Sequence, residues 1–173
     1  MQSIDVWFYN PEADPSGLIN KIVSKLDSPF CHCEVQLNNG LAASIYMNSQ
    51  ASARQRNFSN PAYTRVRIPC TPANHSQATN AIAALVEAKP EFSLKGMVGS
   101  YYGENWCPAD HTFCSKLVAD VLVAARLLPL DTATATITPS GLHRILTNSP
   151  KVTRGPGVDQ QGRVEAIGFR TNN

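Results

Sequence analysis

The sequence predicts an α+β fold in which a small antiparallel sheet packs against one buried helix. Three observations carry that expectation. The chain has 173 residues, 43% hydrophobic and only 16% charged, which suits one compact domain and is too apolar for a disordered chain. Its first seventy residues hold short runs that alternate apolar and polar side chains, the two-residue period of a strand. Its second half is dominated by helical spacing, most strongly over residues 111–128. No internal repeat or linker interrupts the chain, so residues 1–173 read as a single domain.

Ile4, Val6 and Phe8 alternate as a first strand, ended by Asn10-Pro11. Leu18, Ile22, Val23 and Leu26 predict a helix over 17–27, which Ser28-Pro29 stops. Two further strands, 31–37 and 41–47, flank Asn38-Asn39-Gly40, a turn that supplies the positive φ values of a tight hairpin. A polar loop over 48–61 then leads to a strand at 64–69. Ala78, Ile82, Leu85 and Val86 give the apolar face of a helix over 74–88, followed by Pro90. A short helical piece covers 93–99. The strongest helix is 111–128, capped by Asp110 or Thr112 and stopped by Pro129. Its apolar residues cover most of a cylinder, so it should be buried. A Thr/Ala tract, 132–136, links to a short helix starting near Thr138-Pro139-Ser140. Residues 149–163 read as a loop and 164–170 as a last strand.

Charge excludes some functions. Fifteen Lys and Arg against 13 Asp and Glu leave a formal net charge of +2, no footprint for nucleic acid or an anionic membrane. Arg54, Arg56, Arg65 and Arg67 read as a solvated rim. The most apolar stretch, 117–128, contains Asp120 and Arg126 and is too short to span a bilayer. No Gly-rich phosphate loop follows a strand. The start of the chain lacks the basic and apolar regions of a signal peptide, and the 5 cysteines are an odd number. Free thiols in a reducing, cytoplasmic setting are therefore expected.

Two residues stand out chemically. Cys114 falls at the start of the most buried-looking helix, where exposed N–H groups and the helix dipole favour a thiolate. His32 heads the strand 31–37. A strand-borne histidine facing a helix-start cysteine is the arrangement of thiolate–imidazolium catalysis. Taken alone, Cys114 reads rather as a packed core thiol and His32 as a hydrogen-bonded structural residue, and it is the pair that points to catalysis.

These residues lie in segments that resemble a known family. Ser28-Pro-Phe-Cys-His-Cys-Glu-Val-Gln-Leu followed by Leu41-Ala-Ala-Ser-Ile-Tyr resembles the histidine strand and next strand of circularly permuted NlpC-type papain-fold hydrolases. Phe92-Ser-Leu-Lys-Gly-Met-Val-Gly resembles the segment before the nucleophile helix in phage and viral members. Thr112-Phe-Cys-Ser-Lys-Leu-Val-Ala resembles their nucleophile motif, and Ile137-Thr-Pro-Ser-Gly-Leu-His-Arg-Ile-Leu the helix that follows. The four segments occur in the permuted order, histidine before cysteine, over residues 28–148.

The resemblance implies a permuted papain-like fold, Cys114 as nucleophile and His32 as general base. It also implies a polar third residue that orients the imidazole, for which Glu34 and Ser44 both remain open. Glu34 shares a strand face with His32, and Ser44 lies at the family's usual position. Lys116 stands where the family usually has Glu. The backbone N–H of Cys114 would help bind an oxyanion, with Asn105 and His111 as side-chain options and Trp106 as a cleft wall. No cofactor is required. The substrate would be a peptide, isopeptide or acyl compound, met in a host cytoplasm or a virion if the chain has a phage or viral origin.

Two rivals accompany this expectation. One is a zinc site built from four of the six residues Cys31, His32, Cys33, Cys107, His111 and Cys114, although neither cluster has a Cys-x-x-Cys knuckle and His32 points away from the face shared by Cys31 and Cys33. The other is a binding or virion structural module whose catalytic site has decayed. In the enzyme reading Cys31, Cys33, Cys70 and Cys107 are filler thiols.

Overall fold

The computed structural model describes residues 2–13, 28–149 and the backbone of 153–154. They form a mixed α+β structure with an antiparallel sheet and four helices. The expected helix over 17–27 and the expected strand over 164–170 lie outside the described residues. Six strands make the sheet: β1 (Gln2–Tyr9), β2 (His32–Gln36), β3 (Leu41–Ser44), β4 (Ser52–Gln55), β5 (Tyr63–Cys70) and β8 (Thr153–Arg154), in the spatial order β4-β3-β2-β1-β5-β8. β1 is central, with Val6 opposite Val35 on one side and Val66 on the other. Ile4, Val6 and Phe8 point inward and are fully buried, as the alternation requires. Gly40 takes φ +81°, and a Cβ there would meet Gln55 Oε1 at 2.7 Å, so this turn position needs glycine.

Two of these strands fall in segments expected to be loops. β4 occupies part of the predicted polar loop over 48–61, because its residues Ser-Ala-Arg-Gln cover the sheet's exposed edge and carry no apolar alternation. β8 lies within the predicted loop over 149–163 and pairs with β5 through two residues only. β6 (Glu91–Phe92) and β7 (His111–Thr112) form a separate parallel pair.

One face of the six-stranded sheet is covered by helices. α1 (Pro72–Ala88) starts two residues before the predicted position, because Thr71 and Asn74 form a reciprocal capping box and Pro72 fits the first turn. α2 (Leu94–Tyr101) is capped by Ser93, whose hydroxyl accepts from Gly96 N–H. α3 (Cys114–Ala124) is the buried central helix, with Leu117, Val118, Val121 and Leu122 all at zero exposure. Burying each such Leu or Val contributes about 1.5–3 kcal/mol. α4 (Pro139–Thr147) is capped by Thr138.

α3 is shorter than the predicted helix at both ends. His111–Thr112 is held extended by its pairing with Glu91–Phe92, so neither Asp110 nor Thr112 is the cap. Phe113 takes that position with extended angles and no side-chain cap bond. At the other end Arg126 adopts φ +56° and turns the chain, while Leu127 and Leu128 N–H both reach back to the Leu122 carbonyl. Ala125 and Leu128 stay buried beyond that turn, which is why their spacing imitated a longer helix.

Among the described residues, no helix is long and apolar enough to cross a membrane. All five cysteines are free thiols.

Candidate active site

The site forms where the start of α3 meets the first residues of β2. β3 flanks it, and its register with β2 sets Val35 opposite Ala43. Continued along the strands, that register brings Glu34 beside Ser44 and His32 beside Tyr46. Phe113 offers the helix no side-chain cap, so the N–H groups of the first turn, which begins at Cys114, have no cap oxygen among them. An anion at the Cys114 sulfur, or an oxygen beside it, gains from those N–H groups and from the helix dipole.

Cys114 is 3% exposed, and the His32 ring, the Cys33 thiol and the Cys33 N–H are all within its hydrogen-bonding reach. The Cys33 hydrogen bond does most to hold the Cys114 thiol well below the ordinary thiol value. Burial opposes this, and the hydrogen bond and charge of His32 add to it. Cys33 goes the other way: burial first, then its bond to Cys114 and the nearby negative charges, push its thiol well up. The shared proton therefore rests on Cys33 and the negative charge on Cys114, the sulfur that has the helix terminus and the imidazole beside it. Cys31 is pushed up to about 12, first by burial and then by the Cys114 charge.

The far side of the imidazole is equally defined. Ser44 Oγ donates to the Cys33 carbonyl at 2.8 Å and lies 3.3 Å from His32 Nε2. With its own proton committed to the carbonyl, Ser44 accepts from Nε2–H, which leaves Nδ1 as the nitrogen that serves the thiol. Glu34 Oε1 stands 3.9 Å from the same Nε2, beyond a hydrogen bond. This carboxylate is 1% exposed and receives bonds from Tyr46 Oη at 2.6 Å and Arg56 Nη2 at 2.9 Å. Tyr46 also stacks on the imidazole, with ring centroids 4.5 Å apart and planes 29° from parallel.

The four residues singled out from sequence, Cys114, His32, Glu34 and Ser44, are thus gathered in one place. Three that sequence reading passed over join them. Cys33, taken for a filler thiol, hydrogen-bonds Cys114, and the signal was its position next to His32 on a strand facing the helix start. Tyr46 gave no signal except the register of a hairpin whose exact pairing was not readable. Arg56, read as part of a solvated rim, is ion-paired to a buried carboxylate. Its neighbours in that rim are also engaged: Arg67 grips Asp5 through two bonds of 2.8 Å, and Arg65 lies 3.8 Å from Asp5.

Other expectations fall elsewhere. His111 Nδ1 is bound to Asp110 at 2.8 Å, and Asn105 Oδ1 accepts from Cys107 N–H, so both side chains serve their own loop. Trp106 stacks on Tyr102 and rests on Gly99, where an added Cβ would meet its ring at 3.0 Å. Lys116 pairs with Asp120 at 2.7 Å along one face of α3. Among the described residues, no group of three or more His, Cys, Asp or Glu is arranged to hold a metal ion. No family model, curated protein or solved structure matches the chain.

Proposed function

We propose that this chain is a thiol hydrolase of the circularly permuted NlpC-type papain fold, acting at a carbonyl carbon. One observation carries the reading: the Cys114 sulfur lies at an uncapped helix start, within hydrogen-bonding reach of an imidazole whose other nitrogen is engaged by Ser44. The permuted order of the motifs, histidine strand before nucleophile helix, supports it.

In this scheme the Cys114 thiolate attacks the carbonyl carbon of a peptide, isopeptide or acyl substrate. The oxyanion that forms is met by the N–H groups of the first turn of α3. His32, protonated by the thiol, gives its proton to the leaving amine or alcohol as the C–N or C–O bond breaks. It then takes a proton from water as that water attacks the acyl-enzyme, and returns it to the sulfur. Ser44 holds Nε2–H, and Cys33 keeps its own proton turned toward the thiolate.

The near-complete burial of Cys114 favours a second reading, a binding module of the same fold that no longer turns over. A panel of peptide, isopeptide and ester substrates separates the two. Turnover that disappears in Cys114→Ala, with the fold intact by circular dichroism, supports the hydrolase. Turnover that survives Cys114→Ala refutes it, and the absence of turnover on every class favours the binding module.

A further inference from the structure

Building on the Cys114–His32 reading, we propose that Tyr46 is a positioning residue of this site, its ring fixing the plane of the His32 imidazole while Glu34 fixes the ring. Two hydrogen bonds, one at each ring nitrogen, define a line through an imidazole but leave the ring able to rock about that line. A contact on the ring face removes this freedom. Tyr46 supplies it, at 4.5 Å and 29°. When the proton moves from the thiol to the imidazole, the new positive charge also lies against an aromatic face, which stabilises it.

The tyrosine is held well enough to act as a support. Its backbone is locked by Ser49, whose Oγ accepts from Tyr46 N–H and donates to the Tyr46 carbonyl. Its hydroxyl donates to Glu34 at 2.6 Å, and the Arg54 guanidinium sits 5.1 Å from its ring centroid. Burial and the Glu34 carboxylate both push the phenol up, so it remains a donor. Glu34 is itself fixed by Arg56 at 2.9 Å. Glu34 therefore acts on His32 in two ways, through the Tyr46 ring it fixes and through its own charge, which lies 3.9 Å from Nε2 and pairs with the imidazole once that is protonated.

The test follows alkylation of Cys114 by iodoacetamide across pH in the wild type, Tyr46→Phe and Tyr46→Leu, with circular dichroism as the check on fold. Tyr46→Leu removes the ring face, and the midpoint of labelling should rise by about one pH unit, a tenfold loss of thiolate at a fixed lower pH. Tyr46→Phe keeps the face but frees the ring from Glu34, and a rise of about half a unit is expected. A tyrosine that serves only the packing would lower stability and leave the midpoint where it was. An unchanged midpoint in either folded variant overturns the proposal, and Tyr46→Phe decides alone should Tyr46→Leu not fold. A wild-type midpoint at the ordinary thiol value of about 8.5 overturns the Cys114–His32 pair itself, and the proposal with it.

Discussion

Removing Arg56 should cost more stability than removing both members of its ion pair. Glu34 is 1% exposed at its side chain and Arg56 is 26% exposed. Truncating one partner of a fully buried pair costs about 3–5 kcal/mol, because the remaining charge is left uncompensated. Here two features reduce that figure: water reaches the guanidinium side, and the Tyr46 hydroxyl still donates to Oε1. One feature adds to it, the loss of the guanidinium from the Phe58 ring 5.0 Å away. The expected cost of Arg56→Met is about 2–3 kcal/mol. Glu34→Gln in the same chain discharges the buried group while keeping an acceptor for Tyr46, and should restore about 1 kcal/mol. Urea unfolding at pH 7 reads both values. A loss below about 0.5 kcal/mol for Arg56→Met, typical of an exposed pair, refutes the reasoning, as does a double variant less stable than the single one.

Further expectations follow from the same geometry. Cys33→Ala removes the thiol that hydrogen-bonds Cys114, so the Cys114 labelling midpoint should move up by about one pH unit; an unmoved midpoint would show that His32 and the helix terminus suffice. Gly96→Ala would place a Cβ 2.6 Å from the Cys107 Cβ, and a loss of about 1–3 kcal/mol is expected in thermal unfolding. Above pH 9 the native state should weaken. The unfolded Cys31 thiol ionises near 9.0 while the folded one stays protonated up to about 12, so stability is lost as pH rises between those values, by at most about 4 kcal/mol. Cys31→Ala should flatten that alkaline slope in urea midpoints measured from pH 8 to 10.5, and an unchanged slope would assign it to other groups.

The core of the fold was legible because burial imposes periodicity. Ile4, Val6 and Phe8 declared a strand, and Leu117 to Leu122 declared a buried helix, since each pattern must match the face it covers. Edges were not legible. β4 and β8 carry no apolar alternation and exist through pairing with neighbours far along the chain. The start of α3 was misplaced for a related reason: a two-residue parallel pairing with Glu91–Phe92 overrides the capping preference of Asp110 and Thr112.

In the site, Cys114 and His32 were legible through residue type and motif order. Ser44 and Glu34 were named from sequence but could not be ranked, because the 0.6 Å that separates 3.3 from 3.9 Å depends on side-chain placement. Cys33 and Tyr46 lie in the segments that carry the resemblance, but their roles were not legible, since those come from what stands across a gap between elements. Arg56 has the sequence surroundings of any surface cation, and its role comes from Glu34, which is buried beside it.

The central claim is that Cys114 and His32 work as a thiolate–imidazolium pair, and the rate of Cys114 alkylation against pH tests it most directly. Mass spectrometry of the labelled peptides separates Cys114 from the other four thiols. The account predicts that Cys114 labels first, that its labelling persists well below pH 7, and that His32→Ala moves the midpoint up toward about 8.5. Slow labelling of Cys114 with an ordinary thiol profile, the same in wild type and His32→Ala, would contradict it.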